Sequence, residues 1–118
     1  MYNSIPDCIF CKIASGQIKP ELLYEEEQII AFWDLNPQAP THVLIIPRIH
    51  IATLNDLTLE QAPLIGQMIL TAQHLAQKTG IAQRGYRTVF NCNAEAGQSV
   101  FHIHLHLLGG RILGWPPG

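Results

Sequence analysis

The sequence predicts an α+β fold built on an antiparallel, meandering sheet. Three observations lead there. Five short stretches read as strands, bounded by turn residues. One long stretch carries apolar residues at helical spacing, at Ala62, Ile65, Ile69, Ala72 and Ala76. Strands and helix do not alternate as βαβ units, which disfavours a parallel sheet. No internal repeat or linker interrupts the chain, so residues 1–118 are expected to form one domain with an extended tail at 111–118.

The elements follow in order. Asp7 is placed to cap a short helix over Cys8 to Ser15, stopped by Gly16. After Pro20, Glu21 to Glu25 and Ile29 to Trp33 form a hairpin around the acidic turn Glu25-Glu26-Glu27. Asn36-Pro37-Gln38-Ala39-Pro40 is a turn-rich loop. His42 to Pro47 is almost wholly apolar, which suits a central strand, and Pro47 ends it. Thr58 and Gln61 have capping-box spacing, but Pro63 moves the helix start a few residues on. That helix runs to Thr79, with Gly80 after its end and His74 on its surface. Tyr86 to Asn91 is a fourth strand. A loop containing Glu95 to Ser99 leads into the fifth, which Gly109-Gly110 closes. The tail ends Trp115-Pro116-Pro117-Gly118, where two prolines oppose both helix and central strand.

Composition narrows the function. Seven basic residues against nine acidic ones, with no Lys/Arg cluster in sequence, argue against a polyanion-binding surface. No apolar run reaches membrane-spanning length, and the first residues do not read as a signal peptide. Three cysteines, an odd number, fit a cytoplasmic protein with reduced thiols.

The chemistry concentrates in His102-Ile103-His104-Leu105-His106-Leu107-Leu108. On a strand, Ile103, Leu105 and Leu107 would face a core and the three imidazoles would line the other face, about 6.6 Å apart. The outer two would be about 13 Å apart, too far for easy ligation of one metal, so the row suits a division of labour. A neutral imidazole can attack phosphorus and form a phosphoramidate that water later hydrolyses. His104, with a donor on either side, is the better nucleophile, and His106 would steady the transferring phosphate. Gly97-Gln98-Ser99, just before the row, can bring loop amides and a hydroxyl to phosphate oxygens. Cys8-x-x-Cys11 is either half of a tetrahedral zinc site, with His50 and His102 as candidates for the other half, or a pair of ordinary thiols. Cys92 reads as a small buried residue.

These residues resemble a family. The His-φ-His-φ-His-φ-φ row, with φ apolar, is similar to the histidine triad (HIT) signature. Asp34-x-x-Pro37-x-Ala39-Pro40-x-His42, Pro47-x-x-His50, Gly97-Gln98-Ser99-Val100-x-His102 and Trp115-Pro116-Pro117-Gly118 resemble the Hint branch, the histidine triad nucleotide-binding proteins. The resemblance covers nearly the whole chain. It implies a five-stranded antiparallel sheet with two helices, and a homodimer whose sheets join into one. It implies hydrolysis of purine nucleoside phosphoramidates through a nucleotidyl-histidine on His104. His106, Asn91, Gly97, Gln98 (through its backbone) and Ser99 fall on positions around the phosphate, and Ser99 also assists the leaving atom. Asp34 and Leu35 fall on the ribose segment, and Phe10, Ile13 and Leu35 on the wall around the base. Trp115 resembles a tail tryptophan that reaches the partner's site. Cys8, Cys11, His50 and His102 match the ligands of a structural zinc carried by some members. No organic cofactor, nucleic-acid polymer or membrane is implied. The competing readings are a nucleotide-binding scaffold with incidental hydrolysis, a metallohydrolase with zinc on the triad itself, and a dinucleotide polyphosphate hydrolase.

Overall fold

In the computed structural model, which describes residues 5–118, the sheet has the strand order β1-β2-β3-β5-β4 and every pairing is antiparallel. The strands are β1 (Leu22–Glu25), β2 (Ile29–Trp33), β3 (Thr41–Pro47), β4 (Tyr86–Val89) and β5 (Leu105–Gly109), and the helices are α1 (Ile9–Ala14) and α2 (Ala62–Lys78). β3 is central and buried along its length, as its unbroken apolar run requires. Arg48 follows it and ties the β1–β2 turn to α1, donating to the carbonyls of Glu26 and Ala14 and pairing with Glu25.

The two faces of the sheet carry different cores. On one, Ile29, Ala31, Val43, Ile45, Ile103, Leu105 and Leu107 pack beneath Leu64, Met68, Ala72, Leu75 and Ala76 of α2. On the other, Ile30, Phe32, Leu44 and Ile46 pack against Phe10, Cys11 and Ile13 of α1. Period-two alternation therefore sends Ile103, Leu105 and Leu107 toward α2 and leaves the face beside α1 to the histidines.

Several local expectations change. The cap of α1 is Cys8, whose Sγ accepts from the Cys11 amide, so the helix starts one residue later than an Asp7 cap would place it. Thr58 and Gln61 do form a capping box, but on the 3-10 turn Leu59–Gln61, and α2 starts at Ala62 with Pro63 in its first turn, where a missing N–H costs nothing. The buried stripe of α2 is Leu64, Met68, Thr71, Ala72, Leu75 and Ala76, rotated from the expected one, and Ile69 and Leu70 stay exposed. β4 stops at Val89, two residues early. The histidine strand starts only at Leu105, so His102 and His104 precede it in irregular backbone. The β3–β5 register explains this. Its last pair is Ile45 with Leu105, and continuing it would set Ile103 against Pro47, which has no N–H to donate. The Ile103 amide donates to the Ile51 carbonyl instead, at 2.8 Å.

Candidate active site and metal centre

The chain's break from ladder geometry lets each triad histidine make its own contacts. The nearest imidazole partners are closer than strand spacing predicts, with His104 and His106 ring centroids 5.0 Å apart. In each case a backbone group fixes which ring nitrogen carries the proton.

His102 is fully buried, and its Nε2–H donates to the Pro47 carbonyl at 2.8 Å. Its bare Nδ1 then faces the Cys8 and Cys11 Sγ atoms at 3.4 and 3.5 Å. His50 brings its Nδ1 to 3.2 Å from Cys11 Sγ. All four ligand atoms lie within 4.8 Å of one another. Tetrahedral zinc with ordinary Zn–S and Zn–N bonds would place sulfur and nitrogen about 3.5 Å apart, so the cluster has the right size. The donor set is also right: two sulfurs, two imidazoles, and backbone amides of Ile5 and Cys11 directed at the sulfurs. Burial and the neighbouring Cys11 thiol push the Cys8 thiol up, and a cation is what would hold both sulfurs as thiolates there. Burial, with His50 and His104 nearby, lowers His102 to about 4, which keeps it neutral as a ligand must be.

His104 is set the opposite way. Its Nδ1–H donates to the His102 carbonyl at 2.8 Å, leaving the Nε2 lone pair bare. Burial holds its pKa below the usual range, so the imidazole is neutral, with the His102 carbonyl and the more distant Asp34 opposing the shift. The ring is wedged edge-on against Phe10, with centroids 5.0 Å apart. Phe10 and Ile13 are buried, whereas Leu35 is 96% exposed.

His106 depends on His42, a residue that strand patterning had assigned only to the start of a central strand. The Gln38 amide donates to His42 Nδ1 at 3.0 Å, so the proton of neutral His42 sits on Nε2. That atom lies 2.8 Å from His106 Nδ1 and 3.4 Å from Asp34 Oδ2. Donation to His106 Nδ1 leaves the His106 proton on Nε2. Burial and the neighbouring His104 and His42 lower His106 to about 4, against the pull of Asp34. Asp34, His42 and His106 also lie within 4.8 Å of one another, but a 2.8 Å nitrogen pair is a hydrogen bond, too close for two ligands on one ion. The signal that could have found His42 was its place at the end of the Asp34-to-His42 motif.

The other predicted residues sit in loops. Asp34 accepts from the Asn36 amide at 2.8 Å. Asn91 is half-buried just beyond β4, Gly97 and Ser99 are exposed, and Gln98 is buried. Trp115 is 84% exposed. The arginines scattered in sequence converge after all: Arg84, Arg87 and Arg111 line a cavity of about 560 Å³ away from the triad, under the tail. Arg87 and Arg111 there donate to the Gly114, Gln38 and Ile112 carbonyls.

Comparison with known proteins agrees with this fold. Residues 15–113 match the HIT domain family. The chain is 48% identical to the purine nucleoside phosphoramidase of Escherichia coli strain K12 over 108 residues, 92% of this chain and 91% of that one. A HIT family hydrolase from Legionella pneumophila superposes with a TM-score of 0.93 at 53% identity, covering 95% of this chain and all of the other. A histidine triad nucleotide-binding protein from Candida albicans superposes with a TM-score of 0.78 at 31% identity, covering 93% and 83%.

Proposed function

The chain belongs to the HIT family, and from that premise we propose that it is an enzyme that hydrolyses purine nucleoside phosphoramidates through a nucleotidyl-histidine intermediate. The observation that carries the reading is the bare Nε2 of a neutral, buried His104, with its proton parked on the His102 carbonyl. That atom attacks phosphorus as the P–N bond breaks. The amine leaves with a proton drawn from water through the Ser99 hydroxyl, and the phosphorylated imidazolium keeps its Nδ1–H on the His102 carbonyl. Water then attacks phosphorus, gives up a proton, and releases the nucleoside monophosphate and neutral His104.

The remaining roles follow from position. His106 Nε2–H, aimed by His42, donates to the phosphate, and the Ser99 amide and hydroxyl and Asn91 surround it; the Gly97 and Gln98 amides, expected there from the sequence, are instead spent on the Ala94 and Asn93 carbonyls. The Asp34 carboxylate takes the ribose hydroxyls, with Leu35 beside it, and Phe10 and Ile13 supply apolar surface for the base. Trp115 reaches the site of a second copy in a homodimer with a continuous sheet. Cys8, Cys11, His50 and His102 hold a zinc ion that cross-links α1 to the strand ends and takes no part in the chemistry. Among the described residues no helix is long and apolar enough to cross a membrane. Three unpaired thiols support a cytoplasmic location.

Single-turnover hydrolysis of a fluorogenic adenosine phosphoramidate tests the reading. His104→Ala should lower the rate by about a thousandfold or more and still bind nucleotide. Equal rates in wild type and variant would remove His104 as nucleophile. Nucleotide binding without turnover in the wild type would leave a binding protein.

A further inference from the structure

Gln98 lies in the loop assigned to the phosphate, yet its side chain points away from it and into the protein, 6% exposed. Its polar atoms are fully committed there. Oε1 accepts from the Asn93 amide at 2.8 Å. Nε2 donates to the Ala52 carbonyl at 2.8 Å and to the Val100 carbonyl at 3.1 Å. The Gln98 amide donates back to the Asn93 carbonyl at 3.1 Å, so residues 93 and 98 are bonded in both directions. One carboxamide therefore closes the loop on itself and fastens it to the segment that follows His50.

The backbone at the loop's entry points to the same role. Asn93 has φ 69° and ψ −175°, a region that only glycine occupies freely. Such a conformation is strained and persists only where its surroundings over-determine it. The two bonds to Gln98 are what hold it. Gly97, with φ 85°, then turns the chain so that Ser99 is exposed while Gln98 is buried.

We propose that the Gln98 side chain is a positioning residue: it locks residues 93–100 against Ala52 so that the Ser99 amide and hydroxyl are held ready for a phosphate. The proposal rests on the phosphoramidase reading for the identity of the phosphate ester. Its physical content, a preorganised anion-binding loop, can be tested apart from hydrolysis.

The experiment compares wild type with Gln98→Met, which keeps the side chain's length and removes its hydrogen bonds. It measures amide hydrogen exchange at 93–99 and the affinities for adenosine monophosphate and for adenosine. Expected are faster exchange confined to the loop, about tenfold weaker monophosphate binding and adenosine binding changed by less than about twofold. Gln98→Glu keeps the acceptor for the Asn93 amide but sets a carboxylate oxygen against the Ala52 and Val100 carbonyls, so its loss of monophosphate affinity should equal or exceed that of Gln98→Met; Gln98→Asn, one methylene too short to reach both sides, carries the test if Gln98→Met fails to fold. Unchanged exchange, unchanged monophosphate affinity, or an equal loss for adenosine and its monophosphate would each overturn the proposal. A wild type that binds monophosphate but cleaves no phosphoramidate would sink the phosphoramidase reading alone and leave this comparison intact.

Discussion

At the scale of single residues, three histidines two apart in sequence have three different hydrogen-bond settings, each imposed by a backbone group. The Pro47 carbonyl bares Nδ1 of His102, the His102 carbonyl bares Nε2 of His104, and the Gln38 amide acts through His42 to put the His106 proton on Nε2. All of this requires neutral rings, which gives stability a pH dependence. His106 has its folded pKa lowered to about 4 from an ordinary value of 6.5. Between those values the unfolded chain binds the extra proton, so stability rises with pH across the window. Acidification from about pH 6.5 toward pH 4 should therefore weaken the fold, by at most about 1.4 kcal/mol per pH unit for this one group. Urea denaturation of wild type and His106→Gln would read it. The variant's midpoint should fall less steeply over that range, and parallel profiles would show that His106 does not carry the effect. The chemical types of these residues were legible in the sequence, because alternation with Ile and Leu set them opposite the core. So was the His104 tautomer, with Nδ1–H on a backbone carbonyl and Nε2 free for attack, because its partner lies two residues back. The tautomers of His102 and His106 were not: they depend on the Pro47 carbonyl and the Gln38 amide, which meet the triad only through the sheet pairing.

At the scale of elements, the informative piece is α1, a helix of six residues that no intrinsic propensity would keep folded alone. Its first turn is held by packing, with Phe10 edge-on to Phe32 and His104, and by the cluster of two thiols and two imidazoles, and its last turn by Arg48 on the Ala14 carbonyl. Zinc there would join α1 to the end of β3 through His50 and to the start of the triad through His102. The expected measurement is about one zinc per chain after reducing purification. Cys11→Ser should lose the metal and lower the thermal midpoint by several degrees, with faster amide exchange in α1. An intact fold with no zinc and an unmoved midpoint would leave the cluster as thiols packed against imidazoles. The hairpin, the central strand and the end of α2 at Gly80 followed from local pattern. The helix stripe did not, because Ile65 and Ile69 make one apolar row and Leu64 and Met68 another, and only the sheet decides which row is covered. The strand start at Leu105 was hidden for a similar reason, since Pro47 terminates a ladder that the triad's own alternation would have continued.

At the scale of the whole molecule, the sheet has two open edges, β1 and β4, and the tail lies against the second. β4 pairs with β5 on one edge only, and its Tyr86 is exposed; on α2, Ile69 is exposed on the flank opposite Gln67 and His74, which meet Glu26 and Tyr24 at the β1 side. An open edge strand next to exposed apolar side chains is a surface that soluble proteins cover or blunt. A second copy related by a two-fold axis would cover it, and β4 meeting β4 would extend the antiparallel sheet without a break. The tail agrees with this. Arg87 on β4 anchors it through the Gly114 carbonyl, yet Ile112 just before that point and Trp115 just after it are 90% and 84% exposed. An anchored tail with an exposed tryptophan beside an open edge would point the aromatic at that second copy. Two variants should then share one phenotype. Ile69→Glu buries a charge if the dimer forms, so it should yield monomers by sedimentation, where the wild type should have twice the mass of one chain. Deletion of residues 112–118 should leave the dimer intact. Both should alter the ranking of amine leaving groups, by about tenfold in relative kcat/KM, while nucleotide affinity changes by less than about threefold. If the monomeric variant keeps the wild-type ranking and the tail deletion does not, Trp115 acts within its own chain. If neither ranking moves, the tail has no part in choosing the leaving group.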